Sequence, residues 1–467
     1  MRLIMLLALF AISPFVQAQS DFFSVWPGHP EAPPRTGPEG SAAALEWTVG
    51  LNMRGIAANN RAVALVRMRL PEGERDFIMR QFNDIAGFEP VGEDDFQIRP
   101  GITDREISYN WYGESGTEQL TIAVYQGVMS ATLTGGEVLY SVSRRDGAPL
   151  LQQLDVTRIP PTFEAPTRTK DATASPPKAM RGMLGPTLTK SALDVVDVLI
   201  LHTPAALAQA SIGGDQAVLN SRVAESFLQV ESAMATSGMN TVRLRNVISS
   251  GNLSVEMPYN EVPGNSCIDP DVNACRWIGH RIWLRTNVQA LRNAYGADLV
   301  VLLLADQAGL VGVAYPQHFD CGKQEGFEST PGCDVGAAYE PFAVAALSVQ
   351  YATSFQVFAH ETGHQFGMQH QAIGSVVAAY PWSLAKTRSG GQSQTVVGGL
   401  SLVRSLQYSN PNVFFIGTTD SSGASNRFNA RTGFCLAPAM SGFRTPGQIF
   451  PVFWDGFETR LIPADGC

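Results

Sequence analysis

Four residues within one short stretch have the types and spacing of a hydrolytic metal site: His360, Glu361, His364 and His370. A helix places residues i and i+4 on one face, so the imidazoles of His360 and His364 point to a common position, with Glu361 beside them. Gly367 permits a left-handed backbone that ends the helix, so the chain turns and His370 supplies a third nitrogen. Three neutral imidazoles leave Zn2+ one open position for water, whose pKa the metal lowers towards roughly 7. Glu361 is then the expected general base.

An ordinary amphipathic helix, whose histidines form hydrogen bonds within a core, is the alternative interpretation. The flanking residues favour a helix in either case. Apolar side chains recur between positions 355 and 366, and Thr353 with Gln356 has the form of a capping box. The spacing of Gly367 and His370 separates the two interpretations, because an ordinary helix requires neither residue. The sequence therefore favours the metal site.

The stretch from His360 to His370 resembles the zinc motif of the metzincin metallopeptidases, H-E-x-x-H-x-x-G-x-x-H, at every fixed position. Four further segments resemble parts of reprolysin-like enzymes: residues 197–204, 296–300, 312–315 and 408–411. The resemblance extends over residues 190 to 437 and is to secreted bacterial reprolysin-like peptidases, including the peptidyl-Asp type. It implies a zincin-like catalytic domain of the α/β (α+β) class, with a mixed sheet and an active-site helix, preceded by a β-rich prodomain.

One position departs from the family pattern. Metzincins carry a methionine in a tight turn beneath the metal, and the best counterpart of that turn, residues 395–398, has Val397 at this place. The family also often has Asp after the third histidine, where this chain has Gln371. Because the methionine packs below the ligands without binding metal, Val397 is expected to change the floor of the site more than metal capture.

The length of 467 residues fits two or three domains. The composition indicates a globular protein, because 45% of the residues are hydrophobic and 16% are charged. The formal net charge of -9 argues against a nucleic-acid partner, which needs a basic face. The resemblance to metallopeptidases implies protein or peptide substrates, and we expect a monomer.

The sequence predicts five parts: a signal peptide at 1–18, a β-rich prodomain at 19–159, a linker at 160–190, a metzincin-like catalytic domain at 191–438 and a C-terminal tail at 439–467. The first part has the basic start, apolar run and small-residue cleavage site of a secretory signal. Its apolar run is shorter than the roughly 20 residues that span a membrane. We expect an exported protein without a transmembrane segment; an uncleaved anchor is the alternative.

Short alternating runs between glycine turns, such as 62–68 and 119–125, predict that the second part is rich in strands. The resemblance implies a zymogen prodomain, and a permanent binding or structural domain is the alternative. No cysteine precedes Cys267, so a thiolate from this part cannot cap a metal. The linker is rich in Pro, Thr, Ala and Lys, and its basic residues are candidate sites of an activating cut.

The fourth part alternates strands and helices, which predicts a mixed α/β sheet. The expected strands are 195–201, 241–248, 297–305 and 342–349, and the expected helices are 216–236 and 278–295. Thr203, which precedes a proline, and Asp215 are expected N-caps. The strand at 342–349 is expected at the outside of the sheet, where an extended peptide could pair with a strand edge.

Six cysteines, an even number in a chain predicted to be exported, favour disulfides. The predicted neighbour pairs are Cys267–Cys275, Cys321–Cys333 and Cys435–Cys467. A cysteine-based metal site is the alternative, and no C-x-x-C spacing supports it. The tail is dense in aromatic residues and resembles a terminal segment of exported proteins of Gram-negative bacteria. Two roles of the tail stay open. It could serve export or surface retention, or it could pack against the catalytic domain.

The sequence thus predicts a secreted, zinc-dependent metalloendopeptidase of the EC 3.4.24 type that is made as a precursor. One zinc ion is expected on His360, His364 and His370, with Glu361 as the base. Two other classes of protein stay open. One is a zinc-binding but catalytically weak adhesion or interaction protein, and the other is an amidase that acts on cell-wall peptides.

Overall fold

The computed structural model describes residues 20–25, 35–36, 42–51, 63–81, 108–136, 138–145, 148–159, 193–211, 214–248, 251–261, 272–305, 311–315, 340–341, 343–371, 380, 382–399 and 402–444. The predicted signal peptide, the predicted linker and the tail beyond Arg444 lie outside these ranges. Cys435 is the one cysteine whose side chain is described, so the disulfide pairs stay predictions. Within the described ranges, no helix combines the length and the hydropathy that crossing a membrane requires.

The amino-terminal part is a sheet of ten strands. They are β1 (Ser20–Val25), β2 (Arg35–Thr36), β3 (Ala43–Leu51), β4 (Val63–Leu70), β5 (Gly73–Gln81), β6 (Tyr109–Ser115), β7 (Glu118–Tyr125), β8 (Val128–Thr134), β9 (Leu139–Arg145) and β10 (Ala148–Leu154). Because β1 pairs with both β3 and β4, the sheet closes on itself. Phe77, Trp111, Leu120 and Ile122 are buried in one core cluster with other apolar residues of these strands. The predicted β-rich amino-terminal region is confirmed.

The carboxy-terminal part, from Asp194 onward, contains the other strands and the α-helices. They are β11 (Asp194–His202), α1 (Pro204–Ala210), α2 (Gln216–Thr236), β12 (Val242–Asn246), β13 (Val255–Glu256), α3 (Val272–Asn287), α4 (Gln289–Tyr295), β14 (Leu299–Leu304), β15 (Gly312–Ala314), β16 (Val344–Ser348), α5 (Val357–Gln365), β17 (Ser393–Thr395), β18 (Val403–Ser405) and α6 (Asn429–Met440). The main sheet has the order β12-β11-β14-β16-β15, and only β15 runs antiparallel to its neighbour among these five. This is the predicted mixed α/β class.

Local sequence signals explain where the first elements begin. The side chain of Thr203 accepts a hydrogen bond from the backbone N–H of Ala206 at 3.0 Å, ahead of the first-turn proline of α1. The side chain of Asp215 does the same for Ala217 at the start of α2, also at 3.0 Å. β14 is a run of Leu and Val that is buried on both faces, as expected for a central parallel strand. These predictions are confirmed.

The prediction that the strand at 342–349 lies at the outside of the sheet is wrong. The strand predicted at 342–349 is β16, which lies inside the sheet between β14 and β15, and all its residues are buried. A strand buried on both faces is typical of the middle of a sheet. The edge is the three-residue β15, which is too short for a periodic pattern. The helix predicted at 278–295 is also different, since it is two helices that meet at Val288.

The predicted capping box does not form. Gln356 has a left-handed backbone, with φ of 56°, and no side chain caps α5. Its side-chain amide instead donates a hydrogen bond to the carbonyl of Arg404 at 3.4 Å. The backbone N–H of Gln356 donates to the carbonyl of Thr353 at 2.9 Å in a turn ahead of the helix. A tertiary contact therefore replaces the local one.

The chain stays packed beyond Pro438, because α6 continues to Met440 with this proline inside it. The backbone N–H of Arg444 then donates to the carboxylate of Asp298 at 2.9 Å, and its guanidinium donates to the side chain of Asn293 at 2.6 Å. The last described residue is thus fixed near the amino-terminal end of β14.

Asp298 makes the stability of this region depend on pH. Burial raises its pKa to about 7, from an ordinary value of 3.8. Because the folded protein holds this proton more tightly than the unfolded chain, Asp298 stabilises the fold most below pH 3.8, and the contribution is lost as the pH rises through about 7. The stability of wild type relative to Asp298→Asn, which does not titrate, should therefore fall between these pH values by at most about 1.4 kcal/mol per pH unit. Urea denaturation of both proteins at several pH values measures this difference; a constant difference would contradict the assignment.

Candidate metal centre

The active-site helix α5 places two histidines one turn apart with a glutamate beside them. His360, Glu361 and His364 are all buried, as is His370 after the helix. The helix ends at Gln365, and Gly367, two residues later, has a φ of 76° in the left-handed region that favours glycine. The backbone N–H of Gly367 donates to the carbonyl of His364. The N–H of Met368 donates to the carbonyl of Gly363, and the two bonds together form a Schellman turn. This turn directs the chain back so that His370 faces the helix.

The three imidazoles converge through their Nε2 atoms. The distance from His364 to His360 is 3.1 Å, that from His364 to His370 is 3.1 Å, and that from His370 to His360 is 2.9 Å. Among the described residues, these three form the only group of three or more His, Cys, Asp or Glu side chains that is placed to hold a metal ion. The structure thus brings together all the histidines that the sequence singled out for metal binding.

Two backbone carbonyls fix the tautomers of the first two histidines. Nδ1 of His360 lies 2.8 Å from the carbonyl oxygen of Val396, and Nδ1 of His364 lies 2.8 Å from that of Met368. A carbonyl oxygen can only accept, so each Nδ1 carries the proton and each Nε2 of a neutral ring presents a lone pair. Burial and the positive charge of Arg404 hold the pKa of His360 well below its usual range, which favours the neutral ring.

Two lone pairs that face each other at 3.1 Å repel unless a cation lies between them. Nitrogens bound to one tetrahedral zinc ion at the usual Zn–N length lie about 3.3 Å apart, close to the separations found here. Three neutral imidazoles are also the ligand set of known catalytic zinc sites. The donor set and its spacing therefore fit a zinc ion.

Glu361 is a buried carboxyl group on the same helix, and its Oε1 atom lies so close to Gly312 of β15 that a Cβ atom built there would come within 2.5 Å of it. Neither of its oxygens has a hydrogen-bond partner among the described residues. Burial raises its pKa to about 8, and the positive charges of Arg404 and Arg281 oppose this rise. A divalent cation nearby would favour the ionised form in the same way. A buried carboxyl without a partner is costly, which indicates a site built for a water molecule or a metal ion.

Two arginines near the site had no sequence signal. Arg404 is buried, its guanidinium lies 4.3 Å from the centre of the Phe355 ring, and it donates to the carbonyl of the same residue at 2.9 Å. Arg281, on α3, donates to the carbonyl of Ala314 at the edge strand at 3.1 Å and lies 3.7 Å from the centre of the Tyr315 ring. Each is an isolated arginine in the sequence, so only the fold shows that it faces the site.

The floor of the site is the turn at residues 395–398. Val397 is fully buried there, and a Cβ atom built on Gly363 of α5 would lie 2.5 Å from its Cγ2 atom. The valine that stands in place of the family methionine thus packs directly under the helix. Gln371 joins the floor to its surroundings, because its side chain accepts from the N–H of Gly399 and donates to Thr387, both at 2.9 Å.

Substitutions at this contact should compensate each other. Gly363→Ala should destabilise the fold by about 1–3 kcal/mol, because the new methyl group overlaps Val397. The double variant with Val397→Ala should recover part of this loss, because the overlapping methyl group is gone. Thermal denaturation of the wild type, both single variants and the double variant gives the coupling energy. Additive effects would show that the two side chains do not touch.

Comparison with known proteins identifies the family of this chain. The sequence model of the metallo-peptidase family M12, Reprolysin_5, matches residues 192–428, which is just over half of the chain. Among solved structures, the crystal structure of metalloproteinase-II from Bacteroides fragilis is similar, with 12% identity, a TM-score of 0.35, and coverage of 66% of this chain and 82% of that chain. No curated protein matches the sequence. The extent of the family match shows that the chain belongs to the metallopeptidase family M12.

Proposed function

We propose that this metallopeptidase is a zinc-dependent endopeptidase in which His360, His364 and His370 hold one zinc ion and Glu361 is the general base. The convergence of the three Nε2 atoms within 3.1 Å supports the proposal most strongly. At least two of these atoms present lone pairs, which is the state that binds a metal.

When bound, a zinc ion supplies a Lewis acid that acidifies water and polarises the scissile carbonyl. Glu361, held beside the histidines on α5, accepts the proton of the attacking water and returns it to the leaving amine. Its buried surroundings limit exchange of that proton with solvent. The short edge strand β15 offers backbone groups to an extended peptide, and Arg281 holds the carbonyl of Ala314 at this edge.

We further propose that the protein is exported and is cut in the linker at residues 160–190. The amino-terminal sequence pattern and the Pro-rich, basic composition of the linker support this step. Amino-terminal sequencing of the secreted protein tests it. A start inside the linker is expected, and fully active protein that starts near residue 19 would contradict it.

The substrate class is tested by offering two kinds of substrate to the purified, zinc-loaded protein. One sample contains a mixture of unfolded proteins, and the other contains purified cell-wall peptides. Mass spectrometry of the products is compared with that of a sample treated with a chelator. New internal termini in the proteins, absent after chelation, are expected. Cleavage of the cell-wall peptides alone would favour an amidase, and no cleavage with zinc bound would favour a binding protein.

A further inference from the structure

The outer face of the amino-terminal sheet is polar yet buried. On β7, Gln119 and Thr121 alternate with the apolar residues that fill the inside of the closed sheet, and on β8 Ser130, Thr132 and Thr134 do the same. Such alternation usually marks a face in contact with water. Here all five side chains are at most 3% exposed. The face is therefore an internal interface of the protein.

Part of this interface packs on α2. The carboxylate of Glu225, in the middle of α2, accepts hydrogen bonds from Thr121 at 2.8 Å and from Ser130. Gln229, one turn further, donates to the carbonyl of Thr353 at 3.0 Å, in the segment that leads into α5. Apolar residues of the sheet, including Tyr112, share one core cluster with α2 and the main sheet. The sheet thus supports the helix that lies behind α5.

A second part of the interface reaches β18, the strand that pairs with β17 ahead of the floor of the metal site. Oε1 of Gln119 accepts hydrogen bonds from the backbone N–H of Leu406 at 2.8 Å and from the hydroxyl of Ser405 at 3.1 Å. The hydroxyl of Thr134 donates to the carbonyl of Arg404 at 2.7 Å. These contacts cross from β7 and β8 to β18 and the residue that follows it. They hold β18 in place from the side of the amino-terminal sheet.

The next hydrogen bonds lead from β18 to a metal-ligand candidate. The carbonyl of Gln407 accepts from the N–H of Val396 at 2.9 Å. The carbonyl of Val396 accepts from Nδ1 of His360 at 2.8 Å. Gln119 therefore sets the position of the chain segment whose neighbour orients the first imidazole. Partners outside the ligand shell typically change metal affinity 10- to 100-fold when they are removed.

We propose that the amino-terminal sheet is a permanent part of the peptidase, and that Gln119 is a positioning residue for the metal site. The proposal rests on the function proposed for the histidines. After a cut in the linker, the sheet remains bound through α2 and β18 and keeps the floor beneath His360 in place. The outer face of the sheet contacts α2, which lies behind α5, and β18, which lies beneath it. The sheet therefore supports the metal site structurally.

The first test separates the covalent link from the interface. A recognition sequence for a specific protease is inserted in the linker of the full-length chain, and the protein is cut after folding. The two fragments should elute together in size-exclusion chromatography at low and at high salt, with unchanged affinity for Zn2+. Separate elution of folded fragments would overturn the proposal. This result does not depend on peptidase activity, so it is distinct from a failure of the proposed function.

The second test compares two Gln→Met substitutions in the same sheet. Gln119→Met removes the contacts with β18 and a hydrogen bond to the Tyr112 hydroxyl within the sheet, 2.8 Å long. Gln152→Met removes only contacts within the sheet, among them a hydrogen bond to Glu46 that is 2.7 Å long. Zinc affinity is measured by competition with a chromophoric chelator, and the Co2+ form is examined by visible absorption. Gln119→Met should bind Zn2+ more weakly, by at most about tenfold, and alter the Co2+ spectrum, because tenfold is the lower end of the effect of partners that bond directly to a ligand. Gln152→Met should match the wild type.

Gln119→Glu keeps an acceptor for Leu406 and, when it is protonated, a donor for the Tyr112 hydroxyl, so it should restore both signals in part. If Gln119→Met does not fold, Thr134→Val removes the neighbouring contact to Arg404 and takes its place in the comparison. Wild-type zinc affinity in Gln119→Met, or an equal loss in Gln152→Met, would overturn the positioning role. An altered Co2+ spectrum in Gln119→Met alone supports it, because a loss of stability without a change at the metal would leave that spectrum unchanged.

Discussion

Replacing Glu361 with glutamine is expected to lower the rate of peptide cleavage at least about 100-fold, while the protein still binds one zinc ion. Glutamine has nearly the shape of glutamate, so the packing of α5 should be retained. It cannot accept the proton of the attacking water, because its amide is not basic. Since neither oxygen of Glu361 has a hydrogen-bond partner among the described residues, the substitution breaks no hydrogen bond among them.

Glu231→Gln is the matched control for this substitution. Glu231 is also buried, on α2, where its side chain accepts a hydrogen bond from the backbone N–H of Leu244 at 2.5 Å. Removing the charge of the Glu231 carboxylate should lower stability and leave the cleavage rate per folded molecule close to that of the wild type. Initial rates on an unfolded protein, divided by zinc content, measure both variants. A Glu361→Gln enzyme with the wild-type rate would show that another group is the base.

Replacing His370 with alanine is expected to weaken zinc binding at least about 100-fold, beyond the usual effect of outer partners, and to abolish cleavage. The substitution removes one of three converging nitrogens and leaves a site with two. Bound zinc stabilises a folded protein in proportion to the logarithm of its concentration over the dissociation constant. Added zinc should therefore raise the melting temperature of the wild type and have little effect on that of His370→Ala.

His202→Asn is the control for the loss of a buried histidine. His202 ends β11, and its ring lies 4.0 Å from the carboxylate of Glu256. Burial lowers the pKa of His202, so it is a neutral histidine of the interior. The variant should lose stability in the absence of zinc but keep the full increase in melting temperature when zinc is added. An equal loss of the zinc effect in both variants would argue against His370 as a ligand.

The local parts of the site were predictable because short-range geometry determines them. The spacing of His360 and His364 is a property of any helix, and the left-handed turn at Gly367 is a property of glycine. The N-caps at Thr203 and Asp215 follow from side chains that bond to their own helix. In each case the interacting groups lie within a few residues of each other, so the sequence alone contains the information.

The parts that were missed depend on contacts between distant segments. β15 is a three-residue edge strand, and its place beside β16 is set by the whole sheet. The N-terminal turn of α5 lacks its capping box because Gln356 bonds to Arg404 instead. The alternating pattern at 119–125 indicated the strand β7 correctly, but it did not show that the polar face of β7 and β8 is covered by α2 and β18. Only the folded chain shows that Gln119 bonds to Ser405 and Leu406, next to the segment that holds the floor of the site.

The most direct test of the central claim is a titration of Zn2+ into the metal-free protein after the cut in its linker, followed by cleavage of an unfolded protein and by native mass spectrometry. We predict that cleavage rises from zero and reaches its maximum at one zinc ion per chain, with new internal peptide termini as the product. Cleavage that is unchanged by removal of the metal, or a chain that binds one zinc ion and cuts no peptide, would contradict the account.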